Sequence, residues 1–458
     1  MKKTILSALL MLVAFNMTAQ ESFYICEKFD SDGFKIADLH EFQFNDDKTE
    51  FTIDGETYEV ADIDSIVFTK PSFPAVTITW NGTSATVDID PSIKGVTYTV
   101  NGAHVNIVSK TTTDEYLYVL QGSSTNGSLT LTGSYKLTMH LNGVNLISQK
   151  GAALDIECGK RVELKMMKDT ENTFADASSG AQKAALYCKG HLEIKGKGTL
   201  NVTGNTKHAI CAKEYLMLKS STGTINILGA KSDGMHCGVG SKLAADAEDV
   251  QFIMKGGTVN MSNCQGDCID SDDYGIINIS GGTLNLEVNQ TDGAGVKADS
   301  VIYMTGGDIN LNVTGNISQG LKCGWDAYFD GGTITGNISG QGAKGIKANK
   351  ASKTTSTVKN GGDAHFRGTE INLTVSGDIY TTDLSKCMGI RVDKDMYISG
   401  GDIHVTVQNA NAYGVNVISN LNQSDGNLHI TLQNGATNGL VIGASGQDNK
   451  TGGTRVID

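Results

Sequence analysis

The sequence predicts an all-β fold, a right-handed parallel β-helix with about 25 residues per coil, preceded by a small N-terminal β module. Three observations lead to this prediction. Glycine pairs recur at a fixed spacing, the strands after them alternate apolar and polar residues, and the chain holds 55 Gly but only 3 Pro. Proline cannot donate to a strand ladder, so a long proline-free stretch is typical of strands paired on both sides.

The first twenty residues have the pattern of a secretory signal peptide. Lys2 and Lys3 form a basic region, Ile5–Phe15 is apolar, and cleavage is expected near Ala19 and Gln20. The apolar run is too short for a membrane-spanning helix, and no later run is longer. We therefore expect a secreted protein, periplasmic or at the cell surface, without a membrane span.

Three further segments follow in chain order. Residues 21–74 are expected to form the N-terminal β module and a linker, with residues 75–148 supplying the opening and cap strands of the β-helix. Residues 149–458 are expected to form the coils, interrupted by insertions over 241–249 and 349–362. We expect a monomer, and the sequence leaves open whether the module binds a cell-surface partner.

The repeat itself places one strand after each glycine pair. Exact 25-residue spacing separates Gly256-Gly257, Gly281-Gly282, Gly306-Gly307 and Gly331-Gly332. A second short strand in each coil has two apolar positions that flank one outward residue. Stacking about eleven such coils, roughly 4.8 Å apart, buries the apolar positions of every coil against its neighbours.

Charge and cysteine count narrow the function classes. The formal net charge is −13, and loss of Lys2 and Lys3 would make it −15, because −13 minus 2 is −15. Such an acidic chain argues against nucleic-acid binding and is compatible with divalent cations. Nine cysteines, an odd number, exclude a complete disulfide framework. They are more typical of small buried apolar side chains.

The outward residues of the second strand form the candidate ligand site. Lys297, Lys322 and Lys347 are 25 residues apart and are expected to stack, and like charges at that spacing repel. A polyanion with one uronate per lysine would compensate them, and so would neighbouring acids such as Asp299 or Asp326. Trp325 offers an aromatic face for a sugar or, alternatively, caps the groove. The candidate ligand-binding residues are His236, Lys297, Lys322, Trp325, Lys347 and Arg391.

A cluster of aspartates supplies the candidate metal site. Calcium takes six to eight oxygen ligands, which aspartates and turn carbonyls provide. The alternative is that these aspartates only form turns. The candidate calcium ligands are Asp233, Asp267, Asp270, Asp272 and Asp273.

At this point the chain resembles a known family. Asp114–Gly122, Leu137–Leu146 and Leu192–Val202 resemble successive blocks of the secreted bacterial carbohydrate-binding domain-containing β-helix proteins, over roughly residues 75–445. That family is similar in fold to pectate lyases. The resemblance implies calcium sites and binding of plant-type polysaccharide, either acidic and pectin-like or cellulosic.

The match to the acidic turn motif of this family is incomplete. Asp233, Asp267 and Asp270 fit the motif, but Cys268 stands where glycine is usual. In later coils Gln319 and Lys344 replace the acidic residue, which argues against calcium there.

Three functions follow from these features. The leading hypothesis is a non-catalytic, calcium-binding protein that holds polysaccharide along the outer face of the β-helix. The second is a calcium-dependent lyase that cleaves uronate polymers by β-elimination, with Lys297, Lys322 or Arg391 as base. The third is a structural surface adhesin. No lyase motif is present, so no catalytic residue is assigned.

Overall fold

The computed structural model describes residues 21–238, 251–272, 274–349 and 362–458. Within these residues the chain is almost entirely β, with one 3₁₀ turn at Ile36–Asp38. None of the described helices is long and apolar enough to cross a membrane. The predicted signal peptide, Asp273 and nearly all of the two insertions lie outside the described residues.

A 14-stranded sheet takes one strand from each coil. Its first two strands pair antiparallel, and the other twelve pairs of neighbours are parallel. The parallel pairs join thirteen strands, which gives about 13 turns. The sequence predicted about eleven because the two coils within residues 104–148 lack the 25-residue spacing. In chain order the strands are Val96–Asn101, His104–Ser109, Ser128–Gly133, Leu154–Cys158, Ala184–Cys188, His208–Ala212, Met235–Cys237, Ile269–Ser271, Ala294–Ala298, Gln319–Cys323, Lys344–Ala348, Met388–Val392, Tyr413–Val417 and Asn438–Ile442.

A 21-stranded sheet forms the rest of the wall. Most coils contribute two short strands to it, or one long strand that bends. The strands are Ala75–Asn81, Ser84–Ile89, Leu117–Ser124, Leu137–Ile147, Val162–Met166, Glu171–Ala175, Leu192–Lys195, Thr199–Gly204, Leu216–Leu218, Thr224–Ala230, Gln251–Met254, Thr258–Met261, Ile276–Val288, Ile302–Val313, Ala327–Ile338, Ala364–Phe366, Glu370–Val375, Met396–Val407, Leu421–Leu432, Asp448–Lys450 and Thr454–Ile457.

The glycine pairs make the bend in the 21-stranded sheet. Gly257, Gly282, Gly307 and Gly332 have φ of 88°, 85°, 84° and 82°, a conformation that favours glycine. A side chain on Gly282 would meet the backbone of Gly256 at 2.7 Å. The parallel ladder shifts register at this corner. The regular glycine spacing is therefore the spacing of one corner, repeated from coil to coil.

The core runs along the inside of the solenoid. Strand pairing places Ile210, Met235 and Ile269 in register, and each of them is fully buried. All nine cysteines are buried and free, including Cys264 and Cys268. Their role as small apolar side chains, expected from the sequence, agrees with this burial.

Antiparallel hairpins cover the first coil. Ala75–Asn81 pairs with Ser84–Ile89, and Val96–Asn101 pairs with His104–Ser109. Trp80 is buried beneath them and donates its indole N–H to the Ala103 carbonyl at 2.8 Å. Such hairpins protect the open edge of the solenoid from further strand pairing.

The N-terminal module consists of two small antiparallel sheets. Phe23, Ile25, Phe51, Ile53 and Tyr58 form its own apolar core. The strands of the two sheets are Ser22–Glu27, Asp30–Lys35 and Ile63–Val67, and Phe42–Phe44, Glu50–Ile53 and Glu56–Glu59.

Candidate functional site

The outward lysines of the 14-stranded sheet stack one coil above another. Lys297 is in register with Lys322, Lys322 with Lys347, and Lys347 with Arg391. Asn416 follows in the next coil. The strand pairing thus gives the alignment that the 25-residue spacing predicts.

Lys297 is neutralised within this row. Its ammonium lies 2.9 Å from Asp270, 3.3 Å from Asp267 and 3.7 Å from Asp272. Burial alone would lower the pKa of Lys297, but the charges of Asp270 and Asp267 outweigh burial and raise it well above its usual range. The compensating acids are therefore these three, which belong to the coil before Lys297.

Lys322, Lys347 and Arg391, which we call the open column, have a different environment. Among the described residues, no carboxylate lies within 4.0 Å of the ammonium of Lys322 or Lys347. Arg391 donates to Asp393 at 2.7 Å and to the Asn416 side chain at 3.1 Å. Burial and the charge of Lys322 lower the pKa of Lys347. The repulsion expected from the sequence is thus present in these coils.

Lys344 adds a fourth cation beside the open column. It is buried, and its ammonium donates to the Gly342 carbonyl at 2.5 Å. Burial, together with the charges of Lys347 and Arg391, lowers the pKa of Lys344 to about 8. Four cations thus lie at this end of the sheet, and among the described residues Arg391 is the one of them with a carboxylate within 4.0 Å.

His236 belongs to an acidic cluster on the earlier coils. Its Nδ1 lies 3.1 Å from Asp270 Oδ2 and 3.3 Å from Asp233 Oδ2. Burial would lower the pKa of His236, but hydrogen bonds to Asp233 and Asp270 raise it to about 9. His208 stacks on His236 with ring centroids 4.2 Å apart. Sequence reasoning missed His208, although it precedes its strand's apolar residue by the same two positions as Asp233 and Asp267.

The predicted metal ligands are partly brought together. Asp233, Asp267 and Asp270 lie close enough to share one ion. Asp272 contacts Lys297 at the edge of the cluster, and Asp273 lies outside the described residues. Burial raises the pKa of Asp267 to about 6.

The cluster does not fit a calcium ion. Asp267 offers one oxygen to the Ala294 N–H and the other to Lys297, while Asp270 is divided between Lys297 and His236. Asp233 accepts the Asp267 N–H and contacts the two imidazoles. Calcium needs six to eight oxygens, and here the carboxylates already have protein donors. Calcium binding remains an untested prediction.

The candidate aromatic residues pack against other rings. Trp325 is half-buried in a turn, with its ring centroid 6.1 Å from that of Tyr274. Tyr328 stacks between Tyr303 and His365, at 5.1 and 4.7 Å, and His365 stacks on Tyr397. The faces inside such a row are covered by the next ring. This leaves Trp325 as the better candidate for a sugar contact.

A second lysine row was missed by the sequence reasoning. Lys165, Lys195 and Lys219, which we call the covered column, occupy adjacent coils of the 21-stranded sheet. Lys165 contacts Asp30 of the N-terminal module, Lys195 contacts Glu27 at 2.5 Å, and Lys219 contacts Asp62 at 2.6 Å. Lys195 and Lys219 are 5% and 8% exposed. The module therefore docks on the solenoid through its own acids.

A row of asparagines on the 21-stranded sheet was also missed. Asn226, Asn260, Asn285 and Asn310 are joined side chain to side chain at 2.8, 2.7 and 2.8 Å. They line a groove of about 630 Å³. The signal in the sequence was an asparagine at the same place after successive glycine pairs.

A solved structure and a family model are similar to this chain. A solved structure described as the polysaccharide lyase-like protein from C. thermocellum, a gadolinium derivative, is 14% identical, covers 82% of this chain and 99% of its own, and has a TM-score of 0.32. A likeness that weak carries no argument about the site. No curated protein matches the chain. A family model described as "Carbohydrate-binding domain-containing protein" matches residues 101–383, more than half of the chain. The chain belongs to this family of carbohydrate-binding domain-containing proteins, as the sequence motifs predicted.

Proposed function

We propose that the protein binds an anionic polysaccharide along the open column, without cleaving it. The observation that carries this proposal is the stack of Lys322, Lys347 and Arg391, in which neither lysine has a carboxylate partner among the described residues. Stacked like charges are unfavourable unless an opposite charge compensates them. Membership in a carbohydrate-binding family supports a polysaccharide as the source of that charge.

The spacing of the column supports a chain with a repeating charge. Neighbouring strands lie about 4.8 Å apart. A pyranose in an extended chain advances by about one such step, so that each cation meets one uronate carboxylate. Each contact would also offset the burial and the repulsion by Lys322 that lower the pKa of Lys347. An acidic, pectin-like polymer therefore matches this surface better than a neutral, cellulosic one.

The ligand set proposed here is smaller than the set predicted from the sequence. Lys297 and His236 face protein carboxylates, so we leave both out of the polysaccharide track. Trp325 follows Lys322 by three residues and is retained at the margin. The asparagine groove lies on the other sheet and is not needed for an anionic ligand.

A lyase is the second candidate, and Lys347 is the residue that favours it. β-Elimination removes the proton beside a uronate carboxylate, breaks the C–O bond to the leaving sugar and leaves an unsaturated product. A lysine whose pKa is lowered, as that of Lys347 is, suits the base. Lys297 does not suit this role because its acids hold its proton, and arginine stays protonated. Accumulation of ultraviolet absorbance from polygalacturonate would establish cleavage.

Export and monomeric state are separate proposals. The basic and apolar pattern of residues 2–15 supports export with cleavage near Ala19 and Gln20, which N-terminal sequencing of the exported protein tests. Sedimentation tests the expected monomer.

The third function, a structural surface adhesin, predicts attachment to cells that enzymatic removal of acidic polysaccharide does not reduce.

Isothermal titration with polygalacturonate tests the proposed site. We expect the Lys322→Gln/Lys347→Gln variant to bind at least about tenfold more weakly, because two charge-assisted contacts are lost. The Lys94→Gln/Lys110→Gln variant changes two exposed lysines and the same net charge, so it is the matched control and should bind like the wild type. Hydroxyethyl cellulose should bind neither variant nor the wild type. Equal affinities for the two variants would refute the open column as the site.

A further inference from the structure

We propose that Lys183, Lys207, Lys213 and His236 form a binding site for a tetrahedral oxyanion, a phosphate or sulfate group carried as a free ion or as an ester. Lys207 and Lys213 flank the strand His208–Ala212. Lys183 directly precedes the strand of the coil before it, and His236 is the middle residue of the strand in the coil after it. Three neighbouring coils thus bring four cationic side chains to one depression.

The depression between these coils is small and cationic. Its volume is about 130 Å³, and Tyr187 lines it together with the four proposed residues. None of the described residues that line it is acidic. Space for a few water-sized atoms suits a compact anion better than a polymer chain.

The three lysines have no acid of their own. In the part of the chain that the structure describes, no carboxylate lies within 4.0 Å of the ammonium group of Lys183, Lys207 or Lys213. Burial raises the pKa of the Cys211 thiol to about 11, and the charges of Lys213, Lys207 and Lys183 oppose that change. All three charges therefore act on one point, where a bound anion would offset their mutual repulsion.

His236 supplies a fourth positive charge. Its Nδ1 lies 3.1 Å from Asp270 Oδ2 and 3.3 Å from Asp233 Oδ2. Burial would lower the pKa of His236, but hydrogen bonds to Asp233 and Asp270 raise it to about 9, so the ring is protonated at neutral pH. Both carboxylates lie at Nδ1, which leaves the proton on Nε2 for a ligand.

Three acids near the depression, Asp155, Glu157 and Asp233, lie outside its lining. Glu157 accepts from the Gln182 side chain at 2.5 Å and lies 3.6 Å from Lys189. Asp233 contacts the two stacked imidazoles. These contacts do not include the three lysines of the depression.

The number and kind of donors favour a tetrahedral oxyanion over a carboxylate. A phosphate monoester carries a charge of about −1.5 to −2 at neutral pH and has three acceptor oxygens. A carboxylate has one charge and two oxygens. Lysine binds phosphate as a point charge, so ammonium groups from different coils can contact different oxygens. A sulfate ester also presents three oxygens and belongs to the same class of ligand.

This site is distinct from the open column and independent of the proposed polysaccharide track. His236 belongs to the same outward row as Lys322, but Asp270 and Lys297, whose charges pair at 2.9 Å, separate the two. Loss of one site should therefore leave the other intact.

Isothermal titration tests this inference with inorganic phosphate, inorganic sulfate, glucose 6-phosphate and glucose 6-sulfate. We expect the Lys207→Gln/Lys213→Gln variant to bind the oxyanion at least about tenfold more weakly than the wild type, because two charge-assisted contacts are lost. The Lys94→Gln/Lys110→Gln variant loses the same charge from exposed lysines and should bind like the wild type. Glucose should not bind.

The four probes also distinguish the sources of the oxyanion. Tighter binding of the esters would identify a sugar ester as the ligand, and equal binding would identify the free ion. The Lys322→Gln/Lys347→Gln variant should keep its oxyanion affinity even if it loses polygalacturonate, so the two proposals can fail separately. Equal affinities of the Lys207→Gln/Lys213→Gln variant and its control, or no binding of any probe to the wild type, would overturn the inference.

Amine acetylation of the wild type tests the site without a variant. Phosphate should slow acetylation of Lys207 and Lys213 and leave that of Lys94 and Lys110 unchanged, with mass spectrometry as the readout. Unchanged acetylation of Lys207 and Lys213, or protection of the open-column lysines in their place, would contradict the site.

Discussion

Two lysine columns on one solenoid have opposite surroundings. In the covered column, Lys195 contacts Glu27 and Glu163, and Lys219 contacts Asp62. In the open column, Lys322 and Lys347 have no such partner within the described residues. Both columns have the one-coil spacing that makes like charges repel. Stacked lysines therefore need acids to compensate their charge. The N-terminal module supplies acids to the covered column and, in our proposal, a polysaccharide supplies them to the open column.

The pKa values of Lys195 and Lys347 follow the same division, whereas burial lowers the pKa of Lys165 to about 8 despite its contact with Asp30. Burial would lower the pKa of Lys195, but Glu163 and Glu27 outweigh it and raise the pKa above its usual range. Burial and Lys322 lower the pKa of Lys347, and the opposing charge of Asp393 is too weak to reverse the change. The covered column is thus a completed set of ion pairs, and the open column is an incomplete one.

Removal of one covered lysine should have the largest effect. Lys195→Met leaves Glu27 and Glu163 facing each other without a cation, and loss of one partner of a buried ion pair costs about 3–5 kcal/mol. We expect hydrogen exchange in the module strand Ser22–Glu27 to accelerate by about a hundredfold or more. Lys110→Met changes an exposed lysine and is the control. Equal exchange in the two variants would show that the covered column does not hold the module.

The second largest expected difference between the two columns is their response to salt concentration. Raising NaCl from 0.05 to 0.5 M screens exposed charges far more than buried ones, so we expect polygalacturonate affinity to fall by about tenfold or more. Exchange in the module strand should change by less than about twofold, because Lys195 and Lys219 are buried against their acids. If salt releases the module as readily as the polysaccharide, the division between the columns is wrong.

The two columns should also differ in their response to pH, by a smaller amount than in their response to salt. Lys344 has its pKa lowered from 10.5 to about 8, so between those values the unfolded chain binds more protons and stability rises with pH. Loss of the Lys344 charge should also weaken polygalacturonate binding by about threefold between pH 7 and 9. In the covered column, Lys195 and Lys219 should not respond in this window because their pKa values are raised, whereas Lys165, whose pKa burial lowers to about 8, should lose its charge there. Titrations at several pH values check this, and a Lys344→Met variant should lose the dependence.

The smallest expected effect is that of Trp325→Ala. The Trp325 ring packs against Tyr274, so its removal should lower polygalacturonate affinity by less than about threefold. A loss of tenfold or more would instead identify Trp325 as a stacking platform for a sugar ring. Tyr274→Ala, measured beside it, shows how far a change in the packing alone alters affinity.

Much of the fold was predictable because one local feature repeats. Each glycine pair marks a corner that only glycine adopts readily, so its 25-residue spacing predicts both the coil length and the register of Lys297, Lys322 and Lys347. The first coils were less predictable. Lys165, Lys195 and Lys219 are 30 and 24 residues apart, so coils of unequal length conceal the covered column in the sequence.

The sequence could not predict which side chains contact the predicted site residues. Lys297 has the same repeat position as Lys322, and only the three-dimensional position of Asp267 and Asp270 shows that it is neutralised. His208 comes from the coil before Asp233 and His236 and lies beside them only because the coils stack. Repeat spacing predicts which residues align along the solenoid, whereas the charge of a site depends on neighbours across columns.

Zero-length crosslinking tests the central claim most directly. A carbodiimide joins a lysine amine to a carboxylate that it contacts, so polygalacturonate fragments bound to the wild type should become attached at the lysines that hold them. We predict attachment at Lys322 and Lys347, and none at Lys195 or Lys219, whose amines are already paired with acids of the module. Attachment spread evenly over exposed lysines such as Lys94 and Lys110, with no enrichment at Lys322 and Lys347, would contradict the proposed binding face.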